Sequence, residues 1–165
     1  MPSTIPSSSI VADSATATGL KWAAPTGGGK VLQVVSGTYS TQTVIASTSY
    51  TDTGLSLSIT PTLNTSKVLV LVTQNAGASR AVINVGYYTQ LLRGATGLQE
   101  LDNVDASSLD THAPISFSYL DSPATTSSTT YKTQGKCTTT ANSASAFYQI
   151  GGTYISTITL LEIGA

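Results

Sequence analysis

The sequence predicts an all-β fold: an antiparallel β-sandwich, jelly-roll-like, with an extended N-terminal arm. Three observations lead there. Short segments alternate strictly between apolar and hydroxyl residues, the period-2 signature of a strand with one buried face. Serine and threonine make up roughly a third of the 165 residues, and only 9% are charged, against about 25% in an ordinary soluble domain. Threonine favours extended backbone, and hydroxyls keep a surface wet without long charged side chains. No stretch, finally, holds a sustained helical period.

Residues 1–29 read as an attachment arm or linker. Pro2, Pro6 and Pro25, the run Ser7 to Ser9 and the triplet Gly27 to Gly29 bracket a weakly apolar segment, and such composition marks termini rather than core. Its adhesive spot is Leu20 and Trp22, the latter the only tryptophan. Burying an indole is worth up to about 3 kcal/mol. Trp22 is therefore expected to pack on its own domain, a neighbouring subunit or a partner.

Residues 30–165 are expected to form the sandwich. Val31 to Val35 opens it. Leu55 to Thr60 alternates, placing Leu55, Leu57 and Ile59 on one face, and Pro61 ends the strand by removing a ladder donor. Val68 to Val72 is five consecutive apolar residues, expected to be a central strand covered on both faces. Val82 to Arg93 follows, with Gly86 marking a bend or close approach. In Gly97 to Leu109, Leu98, Leu101 and Val104 fall at three-residue spacing, which suggests a turn or two of helix. Ile115 to Tyr119 alternates again and Asp121-Ser-Pro123 turns the chain. Thr129 to Cys137 is a polar strand around Tyr131, and Ala146 to Ile150 and Ile155 to Ile163 close the sheet. An apolar parity change between Leu160 and Leu161 points to a β-bulge or to burial on both faces. Ile155, Ile158, Leu160, Leu161 and Ile163 are accordingly expected to meet sister subunits, with a homotrimer as the favoured assembly.

Bulk properties exclude several classes. A net charge of −1 gives no electrostatic ground for nucleic-acid binding. No apolar run approaches the roughly 18 residues of a span, so membrane insertion is not expected. The N-terminus lacks the basic start and apolar stretch of a secretory signal, so synthesis in the cytoplasm and release by lysis are expected. Cys137 is the only cysteine; it has no intramolecular disulfide partner and cannot alone build a thiolate zinc site.

Catalytic signatures are missing from the pattern. His112 is the only histidine, and no Gly-x-Ser-x-Gly elbow accompanies it. Glu100, Asp102, Asp105 and Asp110 lack EF-hand spacing and read as a solvated loop rather than a calcium site. Asp52, Glu100, Asp121 and Glu162 could supply a glycosidase pair, but no spacing selects one; Glu162 is expected at a subunit contact or facing solvent. Gly27 to Lys30 lacks P-loop spacing and runs into a strand. No catalytic residue, metal ligand or cofactor site is therefore expected, and the chain is not expected to be an enzyme. Tyr87, Tyr88, Tyr131, Tyr148 and Tyr154 lie in or beside strands. Core packing is the simpler role for each, although a flat body with a polar tip also suits glycan or protein contact.

Several segments together resemble the C-terminal β domain of virion appendage proteins from tailed bacteriophages, of the marine and cyanophage type. They are Val11 to Pro25, Gly29 to Val35, Ser58 to Val72, Leu91 to Gly94, Ser118 to Pro123 with Thr130 to Lys132, and Ser156 to Ile163. The resemblance implies a tail-fibre or related virion structural protein, trimeric, made in the host cytoplasm and extracellular after lysis. Residues 1–29, with Leu20 and Trp22, would then attach it to other virion proteins, and the β domain would face a host-surface glycan or protein. The alternative class is a non-viral carbohydrate-binding or adhesive β-sandwich module, with an envelope depolymerase a more distant third.

Overall fold

The structure, a computed structural model, describes the backbone of residues 10–12, 20–22, 29–79, 85–106 and 110–164. Near the N-terminus, β1 (Ile10–Ala12) and β2 (Leu20–Trp22) pair antiparallel, with Ile10 opposite Trp22. The side chains of Leu20 and Trp22 lie outside the described residues.

Twelve further strands build the body: β3 (Val31–Tyr39), β4 (Thr43–Ile45), β5 (Thr51–Ile59), β6 (Lys67–Gln74), β7 (Ala76–Ser79), β8 (Val85–Arg93), β9 (Thr96–Ala106), β10 (Asp110–His112), β11 (Ile115–Asp121), β12 (Thr129–Cys137), β13 (Ser145–Tyr148) and β14 (Ser156–Ile163). They form three four-stranded antiparallel sheets, ordered β11-β6-β14-β3, β10-β7-β13-β4 and β5-β12-β8-β9. The first two are halves of one bent sheet, because each strand of one continues into the matching strand of the other. Asn75 alone separates β6 from β7, and Ala113-Pro114 separate β10 from β11. Counting each bent strand once leaves eight, ordered sixth-third-eighth-first in the bent sheet and second-seventh-fourth-fifth in the facing one. That is the two-Greek-key order of a jelly roll, and the expected fold class is borne out.

Alternation decides what is buried. In β5, Thr53, Leu55 and Ile59 point inward while Asp52, Ser56 and Ser58 face solvent. Leu55 and Ile59 join Val68, Val70, Val72, Leu91, Tyr131, Ile158 and Leu160 in one apolar cluster. A second cluster holds Ile45, Ala76, Ala78, Val85, Tyr87, Cys137, Ala144, Ala146 and Tyr148. Each fully buried aliphatic or aromatic side chain contributes about 1.5–3 kcal/mol.

A buried polar seam lies at the bend of the sheet, where β6 ends and β14 begins. The Thr53 and Thr133 hydroxyls meet at 2.6 Å, and Gln74 Nε2 donates to Thr53 Oγ1 at 2.8 Å. In the orientation that gives each of its amide atoms a partner, Gln149 donates to the carbonyls of Thr53 and Tyr148. Its oxygen accepts from Gln74 Nε2 at 3.1 Å and Ser156 Oγ at 3.0 Å. Buried polar groups without such partners would cost about 1–3 kcal/mol each.

Three expectations need correction. The Gly97 to Leu109 stretch is not helical: residues 96–106 form β9, and 107–109 lie outside the described residues. Leu101 pairs with Thr89 and Val104 with Tyr87, so a β-bulge inserts one residue and turns a spacing of two into three. The apolar run of β6 is not covered on both faces, since Leu69 is only half-buried and Leu71 is 39% exposed. Finally, β14 keeps one parity, with Ser156, Ile158, Leu160 and Glu162 all pointing inward, and its register against β3 shifts between Glu162 and Ile163 rather than between Leu160 and Leu161.

Candidate functional site

The bend that creates the seam also opens a cleft on the outer face of the bent sheet. His112, Gly77, Phe147 and Val44 lie side by side across β10, β7, β13 and β4. Residues paired across a sheet project to the same face, so Gly77 leaves a notch between the His112 and Phe147 side chains. One cavity of about 270 Å³ is lined by Gln42, Ala78, Ser79, His112, Phe147 and Ile150. Beside it, a cavity of about 210 Å³ is lined by Asn75, Ala76, Pro114 and Tyr154, and shares His112 and Ile150 with the first.

Two amides in the cleft are already oriented. Gln42 Oε1 accepts the Gly151 N–H at 2.8 Å, and Asn75 Nδ2 donates to the Ile155 carbonyl at 2.8 Å. Of the residues singled out in the sequence, the structure brings His112 and Tyr154 together here. Sequence reasoning missed Gln42, Asn75, Gly77, Phe147 and Ile150, because they come from three segments joined only by the sheet. The small-residue run Ala76-Gly-Ala-Ser79 was the one available signal.

Among the described residues, Asp52, Glu100, Asp121 and Glu162 each engage their own partners rather than one another. Asp52 is held by Lys132 and Gln134, and Asp121 by Arg93 and Tyr131. Glu100 pairs with Lys136 at 3.6 Å, and the Lys136 ammonium lies over the Tyr50 and Tyr88 rings, 4.3 and 4.6 Å from their centres. The side chains of Asp102, Asp105 and Asp110 lie outside the described residues. Among the described residues no group of three or more acidic, histidine or cysteine side chains could hold a metal ion.

Glu162, expected at a subunit contact or in solvent, is fully buried. It accepts from Gln33 Nε2 at 2.7 Å and from the Thr62 N–H and hydroxyl, each at 2.8 Å. Burial alone would raise its pKa; the hydrogen bonds from Gln33 and Thr62 outweigh that and lower it to about 2. Cys137 is buried too, donating its thiol to the Ile45 carbonyl and accepting the Ala146 N–H.

The five residues expected at a subunit interface divide between two surfaces. Ile158 and Leu160 are fully buried within their own chain, because they face the opposite sheet, and neither is available to a neighbour. Leu161 and Ile163 lie on the outer face of β14, and Ile155 is exposed before it. Leu161 continues a row: Leu120, Leu69, Leu161 and Val34 stand side by side across β11, β6, β14 and β3. Leu120 is 50% and Val34 56% exposed. The rest of that face is mainly hydroxyl, with Ser116, Ser118, Thr73, Thr157, Thr159, Ser36 and Thr38 on the same parity.

No protein-family model matches the chain, and neither does any curated protein sequence. Among solved structures, that of infectious bursal disease virus, Gx strain, is 13% identical at a TM-score of 0.35, over 81% of this chain and 38% of that one. The Gt strain structure gives 12% identity and a TM-score of 0.34, over 81% and 40%, and the VP2 subviral particle of the same virus 12% and 0.31, over 79% and 39%. The chain thus spans about two-fifths of the length of these capsid chains.

Proposed function

We propose that the chain is a non-enzymatic structural protein of a bacteriophage virion, a fibre or appendage that assembles as a homotrimer. In this reading residues 1–29 attach it to other virion proteins, and the sandwich is displayed towards the host surface. The observation that carries the reading is the apolar row Leu120–Leu69–Leu161–Val34. A solvent-facing row of four large aliphatic residues across a whole sheet is costly for a monomer and typical of a surface that another chain covers. Lys67 is the single charged side chain that β3, β6, β11 and β14 place on that face, so copies meet there without charge repulsion. The ordered set of segments resembling phage appendage domains supports the virion setting.

Sedimentation velocity on the full chain tests it. A trimer is expected, with Leu69→Lys/Leu161→Lys dissociating it and Ser58→Lys, on the other sheet, leaving it intact. A wild-type protein that stays monomeric at high concentration would overturn the assembly. Removing residues 1–25 is expected to leave a folded domain that no longer enters particles; normal incorporation would reject the anchoring role. The cleft at the bend favours the second reading, a cellular carbohydrate-binding module, which glycan binding without any association to phage particles would support.

A further inference from the structure

We infer that the cleft at the bend is a sugar site, taking one neutral pyranose unit between His112 and Phe147 and a neighbouring unit against Tyr154. The inference rests on the proposal that the domain is displayed to a cell surface, and adds where and what it would bind.

The slot is set by strand spacing. The strands of His112 and Phe147 flank that of Gly77, so their backbones stand about 9.5 Å apart. That is about two and a half times the 3.5–4.0 Å contact distance between carbon atoms, room for one flat ring between two side-chain rings. Pyranoses carry an apolar C–H face that packs on aromatic rings and a rim of hydroxyls that needs donors and acceptors. Both complements are present. Phe147, His112 and the 57%-exposed Tyr154 supply rings. Gln42 has its oxygen engaged by Gly151 and so offers its NH₂, while Asn75 has its nitrogen engaged by Ile155 and so offers its oxygen. Holding these amides in place before the ligand arrives removes part of the ordering cost of binding.

Charge and size narrow the class. Among the described residues, no Asp, Glu, Lys or Arg lines either cavity. Against these described side chains, a phosphate, a sialic acid or a charged peptide would lose water without gaining a counter-ion. Each cavity is also smaller than the roughly 300–1,000 Å³ of pockets for drug-sized ligands, which suits single sugar units joined across the shared His112. Such a site is weak alone and becomes effective when an assembly presents many copies to a repetitive glycan.

The test uses the full-length, tag-free chain and a panel of methyl glycosides of glucose, galactose, mannose and N-acetylglucosamine with their disaccharides. Because His112 is the only histidine, its imidazole proton resonances are a unique reporter in the wild-type protein. At least one neutral glycoside is expected to shift them and to give saturation-transfer signals, with a disaccharide binding more tightly than its units. His112→Ala and Tyr154→Ala, both at exposed positions, are each expected to weaken binding about five- to tenfold with unchanged thermal unfolding. No response to any glycoside, equal binding by both variants, or binding only of methyl glucuronide or an acidic peptide would overturn the inference. Sedimentation of the same samples separates the two claims: trimers that ignore sugars sink the sugar site alone, and a monomer that binds them sinks the assembly alone.

Discussion

The Tyr131 hydroxyl donates to Asp121 Oδ2 at 2.7 Å from inside the sandwich, and Arg93 Nη1 reaches both oxygens of the same carboxylate at 2.7 and 2.8 Å. Tyr131 sits on β12, Arg93 on β8 and Asp121 at the end of β11, so one carboxylate ties the two sheets together. The residual charge is balanced where the Arg93 side chain remains 30% exposed. Asp121→Ala would strand a buried phenol and a half-buried guanidinium, and is expected to cost about 3 kcal/mol in urea unfolding. Tyr131→Phe, which leaves the ion pair in place, is expected to cost about 1 kcal/mol.

Glu162 makes stability depend on acid. Its pKa in the folded chain, about 2, lies below the ordinary 4.5. The ionised carboxylate therefore stabilises the fold above about pH 4.5, and that contribution disappears as pH falls towards 2. Glu162→Gln is expected to lower stability at pH 7 by about 1–3 kcal/mol and to flatten the acid limb. Thermal unfolding followed from pH 7 to pH 2 checks both; parallel pH profiles for the two proteins would contradict the assignment.

Gly135 is a packing requirement. A Cβ there would overlap the ring and hydroxyl of Tyr148, which is fully buried and bonded to Thr89 Oγ1 and the Tyr88 carbonyl. Gly135→Ala is expected to destabilise by about 1–3 kcal/mol. Because ring carbons as well as the hydroxyl overlap, Gly135→Ala/Tyr148→Phe is not expected to recover the loss in urea unfolding; full recovery would contradict the packing assignment.

Cys137 should be chemically silent. Burial pushes its thiol pKa up, and backbone contacts from Ser47 and Ala146 offset only part of the rise. Since the thiolate is the reactive form, a disulfide reagent at pH 8 is expected to modify none of the native protein and all of it after denaturation. Rapid native labelling would show that β12 and β13 separate readily in solution.

Much of this fold was legible in the sequence, and the exceptions share a cause. The strands around Leu55 to Ile59, Ile115 to Tyr119 and Thr129 to Cys137 declare themselves through alternation, which burial against one partner sheet enforces. Leu98, Leu101 and Val104 misled because a bulge mimics a helical spacing, and a bulge is visible only with the paired strand in place. Glu162 misled because a carboxylate is ordinarily a surface residue; its donors on Gln33 and Thr62 lie about a hundred positions away in the chain. Leu69 presented the opposite problem. Its apolar character suggested burial, while the sheet places it on its outer face. Of the cleft, His112 and Tyr154 were visible as an isolated histidine and a strand-flanking tyrosine, whereas Gly77 matters only through what stands on either side of it.

The hydrogen-bonded layer of Thr53, Thr133, Gln74, Gln149 and Ser156 has a consequence for how such a chain changes over time. By dividing the interior into two separately filled compartments, it keeps volume changes at one end from disturbing the other. Under the proposed assembly, the cleft at the bent end is free to drift while the opposite end keeps the packing beneath the Leu120–Leu69–Leu161–Val34 row. A lineage under pressure to follow a changing target could thus revise one half of the barrel without rebuilding the whole.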